Sequence, residues 1–400
     1  MFKPSITMPA IAASTFHQAC LVVMVPLLQD VFDLTLSMIG VVVGTGLMTT
    51  AISLPAWGRI EAYIGALGAL KIILSFAVLS VSAIAVSFML VSYAIISPLL
   101  GLTVLITARI AYSISVPALL PLTQAILARN SQNSSKLLAP IGRLSSMTGL
   151  GRLAGNAAVA PLLLFGGALP LIAPIPVYAA CLFFAFKQSS PASIKCKKST
   201  EQKDQITLPK TALLIGFSLQ LCLGATYVLL GPLIKDSMQL DSTEATTFAS
   251  YCLTAAVLSG LVAQLGLLPI FRKHTSIVQI TSAISFTAGL SLLCIAHTLP
   301  FIAMSAAIIG ASAALLSATN SVYLLKQLPA SLKAKGSTTL SCSQFAGLAT
   351  GSLLGGFGGE ASLTLTFSFA TLIALVFCVG GSGFVISHKP VARPLRPSDI

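Results

Sequence analysis

The stretch "PLLQDVFDLT", Pro26–Thr35, returns in the second half of the chain as "PLIKDSMQLD", Pro232–Asp241, with proline, leucine, aspartate and leucine in register. Each copy closes a long apolar run. Two further pairs follow in the same order: "TQAILA" after Leu122 with "TNSVYL" after Ala318, and "GRLAGN" (Gly151–Asn156) with "GLATGS" (Gly347–Ser352). Each match is weak alone, but their shared order makes an internal repeat. Repeats of this kind are built into carriers in which one half rocks against the other.

Composition sets the solvent for such a chain. Of 400 residues, 56% are hydrophobic and 8% charged, with a mean hydropathy of +0.94. A soluble domain carries roughly 25% charged residues, so lipid must take the place of water over much of this surface. The expected class is an all-α polytopic membrane protein. The first apolar run, Met8–Val31, is too long for the hydrophobic region of a cleaved signal and reads as the first span. The net charge of +13 does not point to nucleic acid, because the cations fall in the short gaps between apolar runs.

A helical crossing needs about 20 apolar residues. Cutting at charges, Pro/Gly clusters and polar turns gives twelve spans: 8–31, 37–57, 69–92, 100–127, 144–165 and 168–187, then 211–234, 246–268, 275–296, 299–326, 337–358 and 361–387. Alternate gaps separate by charge. One set holds Arg59, Arg129, Lys136, Arg143, Arg272, Lys273, Lys333 and Lys335, with the central "KQSSPASIKCKKSTEQKDQ" and the tail. The other holds Asp30, Asp33, Asp236, Asp241, Glu244 and Glu360, with Lys235 its one clear cation. The positive-inside rule places the first set and both termini in the cytoplasm, in an inner membrane. The expected organisation is two six-helix bundles, 1–187 and 211–387, joined by a basic linker at 188–210 and followed by a tail at 388–400. A monomer in the bilayer is expected.

Seven of the eight cysteines fall singly within these spans, no CxxC occurs and no spacing suits a metal or another cofactor. The four histidines are scattered and the acids lie mostly in loops, so no catalytic constellation supports a membrane enzyme. No GxxxxGK[ST] is present to bind a nucleotide.

With the spans and the repeat in place, the chain resembles the major facilitator superfamily along nearly its whole length. "GRIEAYIGALG" (Gly58–Gly68) is similar to that family's loop between spans 2 and 3, with Gly58 and Gly65 at the family spacing. Ala62 stands where the family has an aspartate, and Glu61 lies one position early. Arg109 in span 4 resembles the arginine that precedes a glycine by four residues, here replaced by Ser113. "GLATGSLLGG" (Gly347–Gly356) is similar to the G-x-x-x-G-P-x-x-G-G pattern of the superfamily's exporters, with Ser352 in place of proline. The first half offers only Gly151, Gly155 and then Asn156. The resemblance implies a secondary transporter working by alternating access, nearest to multidrug and siderophore efflux antiporters, with spans 1 and 4 lining a central cavity. Independently of any family, small residues four apart let helix backbones approach closely in lipid. Packing therefore explains Gly151, Gly155, Gly347, Gly351 and Gly355 as well as gating does.

The polar residues inside the spans carry the functional signal. An arginine at a helix centre costs roughly 2.5–3.5 kcal/mol on insertion scales. Arg109 and Arg152 both lie within spans, and no acid lies deep in any of them. Ser145, Thr148, Arg152 and Asn156 follow helical spacing down one face. Tyr112 stands beside Arg109, and Ser14, His17 and Gln18 share a face of span 1. A guanidinium fork suits a carboxylate or phosphate, so these residues predict an anionic substrate; snorkelling or bonds to backbone carbonyls are the structural alternative. Gln220, Tyr227 and Asn320 are orienting groups from the second half. His17, the one histidine deep in a span, is a candidate proton carrier, since imidazole titrates near neutral pH. The expected function is proton-coupled export of an amphipathic organic anion, such as a carboxylate siderophore, metabolite or drug. Uptake of an organic anion or phosphorylated metabolite is the alternative.

Overall fold

The computed structural model describes residues 6–130, 138–188, 209–271, 274–328 and 332–387. The linker and tail expected at 188–210 and 388–400 lie almost wholly outside the described residues. In chain order the helices are α1 (Thr7–Val23), α2 (Val25–Phe32), α3 (Leu36–Ser92), α4 (Pro98–Ser115), α5 (Leu119–Asn130), α6 (Leu138–Leu163), α7 (Leu169–Ile172) and α8 (Ile175–Lys187). They continue with α9 (Lys210–Met238), α10 (Ser242–Val262), α11 (Leu268–Ile270), α12 (Thr275–Ile295), α13 (Leu299–Lys326), α14 (Lys333–Ala361), α15 (Leu363–Ile373) and α16 (Gly380–Ser387). Wider π turns join α10 to α11 and α15 to α16.

Among the described residues, eight helical stretches are long and apolar enough to cross a membrane, or nine if α1 and α2 form one bent crossing. The protein is all-helical and multi-pass. Large apolar side chains such as Ile52, Leu79 and Leu365 lie exposed on its outside, where lipid replaces water. α6 and α14 fall outside this set because glycine, serine and threonine dilute their apolar content. Both begin earlier than the sequence spans 144–165 and 337–358.

Two departures from the expected spans have local causes. The expected spans 2 and 3 are one continuous helix, α3, interrupted only by Gly65 at φ 79°, ψ 160°. That backbone region excludes side chains but admits glycine, so two helical limbs join without a loop. The first span breaks by 64° between α1 and α2, where Pro26 stands in the first turn of α2. A proline ring clashes with the carbonyl four residues back and removes a donor. Its repeat counterpart, Pro232, lies inside the unbroken α9.

The turns of the repeat agree closely. Asp33 and Gln239, each seven residues after its proline, are both left-handed, at φ 51° and 53°. Two residues on, Thr35 caps α3 by accepting from the Met38 N–H at 3.3 Å. Asp241 caps α10 by accepting from the Glu244 N–H at 2.7 Å. Different side chains thus satisfy the same orphan helix-start donors.

The main packing pairs also come in twos. α1 packs on α6 as α9 packs on α14, α3 on α4 as α10 on α13, and α3 on α14 as α6 on α10. A methyl group at Gly151 would overlap the Ala12 carbonyl oxygen, and one at Gly351 would overlap that of Leu221. Gly155 and Gly347 sit equally close to the backbone at Phe16 and Phe217. Between α3 and α14, a Cβ on Gly40 would come within 2.9 Å of the Gly356 Cα.

One apolar core spans both sequence halves around Met24, Phe32, Leu229 and Ile234. This is the closed end of the molecule. Toward the opposite end, which holds Thr7 and Lys210, the core divides. Ala10, Trp57, Leu122 and Leu144 belong to one cluster there, and Ala212, Leu324 and Leu340 to another. That is the open end.

Candidate functional site

α6 presents three different faces. Gly151 and Gly155 meet the α1 backbone between Ala12 and Ala19. Asn156 turns to α10, where its amide donates to the Leu253 carbonyl at 3.1 Å and its own carbonyl accepts from the Ser250 hydroxyl. Leu150, Ala154, Ala157 and Pro161 form an exposed apolar face. Arg152 is also exposed, but not on that face. Nine residues separate it from Pro161, about two and a half helical turns, so the two point in opposite directions. The guanidinium therefore emerges between the contacts to α1 and α10. Thr148, one turn earlier, bonds back to the Leu144 carbonyl; the side chain of Ser145 lies outside the described residues.

At the same depth α1 and α4 enclose a second polar cluster. Arg109 is 7% exposed and its Nη1 has no hydrogen-bond partner. Its Cζ sits 5.7 Å from the centre of the Tyr112 ring, a cation–π arrangement. His17 is fully buried, both its ring nitrogens lack partners, and its ring centre lies 5.0 Å from that of Tyr112. The Tyr112 hydroxyl donates to the Ser14 carbonyl at 3.1 Å and approaches the Tyr178 hydroxyl at 3.4 Å. The tyrosine is thus held from α1 and α8 while its faces meet His17 and Arg109.

Space for Arg109 comes from α3. A Cβ on Gly46 would stand 3.1 Å from both Cγ and Nε of Arg109, and 3.0 Å from the Ser113 hydroxyl. Ser113 occupies the place of the family's glycine, and a glycine on the facing helix accommodates it. The Ser113 carbonyl accepts from Thr50 at 3.0 Å. Neither Gly46 nor Tyr178 belongs to the site expected from sequence. Tyr178 is the one tyrosine of the expected span 6, a signal that could have found it; Gly46 offers none.

The second half brings fewer groups to this depth. Asn320 is buried and donates its amide to the Ala212 carbonyl at 2.8 Å. Like Asn156, it ties two helices together. Gln220 and Gln18 are half-buried, and Tyr227 packs against the shared core. Gly58 and Gly65 have open space around them, and neighbouring Glu61 is buried. Among the described residues no group of three or more His, Cys, Asp or Glu could hold a metal ion.

The closed end carries its own polar contacts. Lys235 Nζ lies 2.9 Å from Asp30 and donates to the Ser242 hydroxyl at 2.7 Å; that hydroxyl also donates to Asp30. Glu360 accepts from the Ser37 N–H at 3.2 Å.

Solved structures share this arrangement throughout. The nucleoside transporter NupG is 15% identical with a TM-score of 0.69, over 94% of this chain and 98% of that one. A D-xylose–proton symporter is 13% identical with a TM-score of 0.71, over 95% and 96%. A bacterial homologue of the human lysosomal transporter Spinster, inward-facing and occupied, is 12% identical with a TM-score of 0.62, over 97% of each chain. No curated protein sequence is similar enough to match. In sequence, the profile that matches is that of the Major Facilitator Superfamily, over residues 7–281. With the repeated helix pairs and the likeness of fold, this match places the protein: the chain belongs to the major facilitator superfamily.

Proposed function

We propose that the chain is a proton-coupled secondary carrier of an amphipathic organic anion, working by alternating access between two six-helix halves. The eight apolar helical stretches become twelve crossings when α3 counts as two limbs, the bent α1–α2 pair as one crossing, and α6 and α14 are added. The observation that carries the reading is Arg152: an exposed guanidinium on α6, turned away from that helix's apolar face. Such a side chain needs water or an anion, and a cavity between the halves supplies both. Arg109 lies at the same depth with an unpartnered nitrogen.

The membrane is an inner membrane with both termini in the cytoplasm, by the distribution of lysine and arginine. The cavity then opens to the cytoplasm, where the apolar core divides. Export is favoured by the exporter-like glycine pattern of α14, although Gly347, Gly351 and Gly355 also have a packing role against α9. Uptake together with protons is the alternative. Transport of organic anions in right-side-out and inverted vesicles separates the two directions. We expect Arg152→Gln and Arg109→Gln to lower anion transport at least tenfold with the fold intact. Normal transport by both variants would sink the anion reading.

A further inference from the structure

The cluster on α1 and α4 contains more donors than it has acceptors. Nη1 of Arg109 and both ring nitrogens of His17 are closed off from solvent and unpartnered, and both side chains rest against the Tyr112 ring. Tyr112 cannot serve them, because its hydroxyl is engaged by Ser14 and Tyr178. The other ionisable groups on the helices around His17 are Tyr178 and Cys181 on α8, Arg152 on α6, and the cysteines and tyrosines of α9 and α10. The acids of α2, α9 and α10 (Asp30, Asp236 and Glu244) all lie at the closed end. No carboxylate of the described chain therefore stands beside the pair.

A second positive charge added next to a buried guanidinium is opposed by a Coulomb repulsion that little water screens. An anion on Arg109 reverses that balance. We infer that His17 and Arg109 form one site that takes a carboxylate-bearing anion and a proton together. The anion accepts from the free Nη1 of Arg109. With that charge neutralised, the imidazole accepts a proton from the aqueous side, and its new N–H donates to the same anion. No covalent bond other than N–H forms or breaks. Release runs in reverse, proton and anion leaving together. Arg152, beside the α1 residues at this depth, is the contact an anion meets first from the open side.

The inference rests on the carrier reading above and selects between its directions. Ligands that bind cooperatively travel together, since linkage is reciprocal. An inward proton gradient then drives uptake. Proton-driven export requires the opposite, competition between proton and anion for the carrier.

The test follows the His17 imidazole by NMR in the full chain, reconstituted in nanodiscs. Its signal is identified by its loss in His17→Gln, and it is titrated with and without millimolar octanoate, salicylate or citrate. Expected is a His17 protonation midpoint that rises by about one pH unit or more with at least one of the three anions. Affinity for that anion should strengthen up to about tenfold per pH unit of acidification. In His17→Gln the affinity becomes flat with pH. In Arg109→Gln, His17 gains its proton at higher pH without any anion and stops responding to one. Arg109→Lys keeps the charge and retains part of the response, which covers a poorly folding Gln variant. A His17 titration unmoved by all three anions, or moved equally in Arg109→Gln, overturns the inference. If vesicle transport of an anion still depends on Arg152 in that case, the carrier reading stands and only the linkage falls.

Discussion

Lys235 of α9 lies 2.9 Å from Asp30 of α2, joining two segments that occupy equivalent places in the repeat. The pair is not the symmetric one. Asp30 corresponds to Asp236, and Lys235 to Gln29, so the second half supplies the cation that the first lacks. Ser242 at the start of α10 bonds to both partners. Three elements meet there, and Gly231 closes against Pro26 just beneath, where a Cβ would stand only 2.6 Å from the proline Cγ.

This clasp holds the closed end only while the carrier faces the other way, so loosening it should favour the opposite state. The side chains are 32% and 52% exposed, and an exposed pair contributes roughly 0.2–1 kcal/mol. Lys235→Gln should therefore shift the ratio of the two states about two- to fivefold, not abolish one. A cysteine placed at Gln29 reports the change through its rate of labelling from the closed side. No gain in labelling would show that the clasp does not bias the equilibrium.

The contact between Glu360 and Ser37 predicts a pH effect with a definite sign. Bonds from the Ser37 hydroxyl and N–H hold the Glu360 carboxyl below its ordinary value. A carboxylate whose pKa is depressed in one state stabilises that state at pH values above its ordinary value, about 4.3. The contribution disappears as pH falls through the depressed value. Labelling from the closed side should thus be flat between neutral pH and pH ~5, then rise in stronger acid. In Glu360→Gln this acid rise should be absent. An unchanged acid rise in the variant assigns the effect to another group.

Much of this architecture can be read from the sequence because its signals are local. Long apolar runs, the glycine spacing and the repeated turns each depend on a few consecutive residues. Thr35 and Asp241 are interchangeable caps at one repeat position, which pairwise identity undervalues. The bend is not legible, because Pro26 and Pro232 look alike in sequence and only the first is bent. Side-chain destinations are the hardest part. A helical stripe places Arg152 and Asn156 on one side of α6, yet Asn156 spends its polar groups on α10. Arg109 and Gly46 meet only because α3 and α4 pack, and no spacing within either helix reports that.

The glycines divide by what surrounds them, and that division predicts which can be replaced. Gly351 has the Leu221 carbonyl where a Cβ would go. Backbone cannot step aside as a flexible side chain can, so Gly351→Ala must force α14 away from α9. Overpacking of this kind costs roughly 1–3 kcal/mol. Gly58, which also lies in a helix, has nothing within 4 Å of where a methyl group would stand. Gly58→Ala should leave stability unchanged or raise it by up to about 1 kcal/mol, through better helix propensity. Gly46→Ala is the intermediate case, since its Cβ would meet the Arg109 side chain at 3.1 Å, which can shift. We expect near-normal stability there but altered anion binding, because the displaced group is the guanidinium itself. Thermal unfolding midpoints in detergent should thus rank Gly58→Ala at or above wild type, Gly46→Ala close to it and Gly351→Ala clearly lowest. If Gly351→Ala matches Gly58→Ala, the close approach of α9 and α14 is not what fixes that glycine.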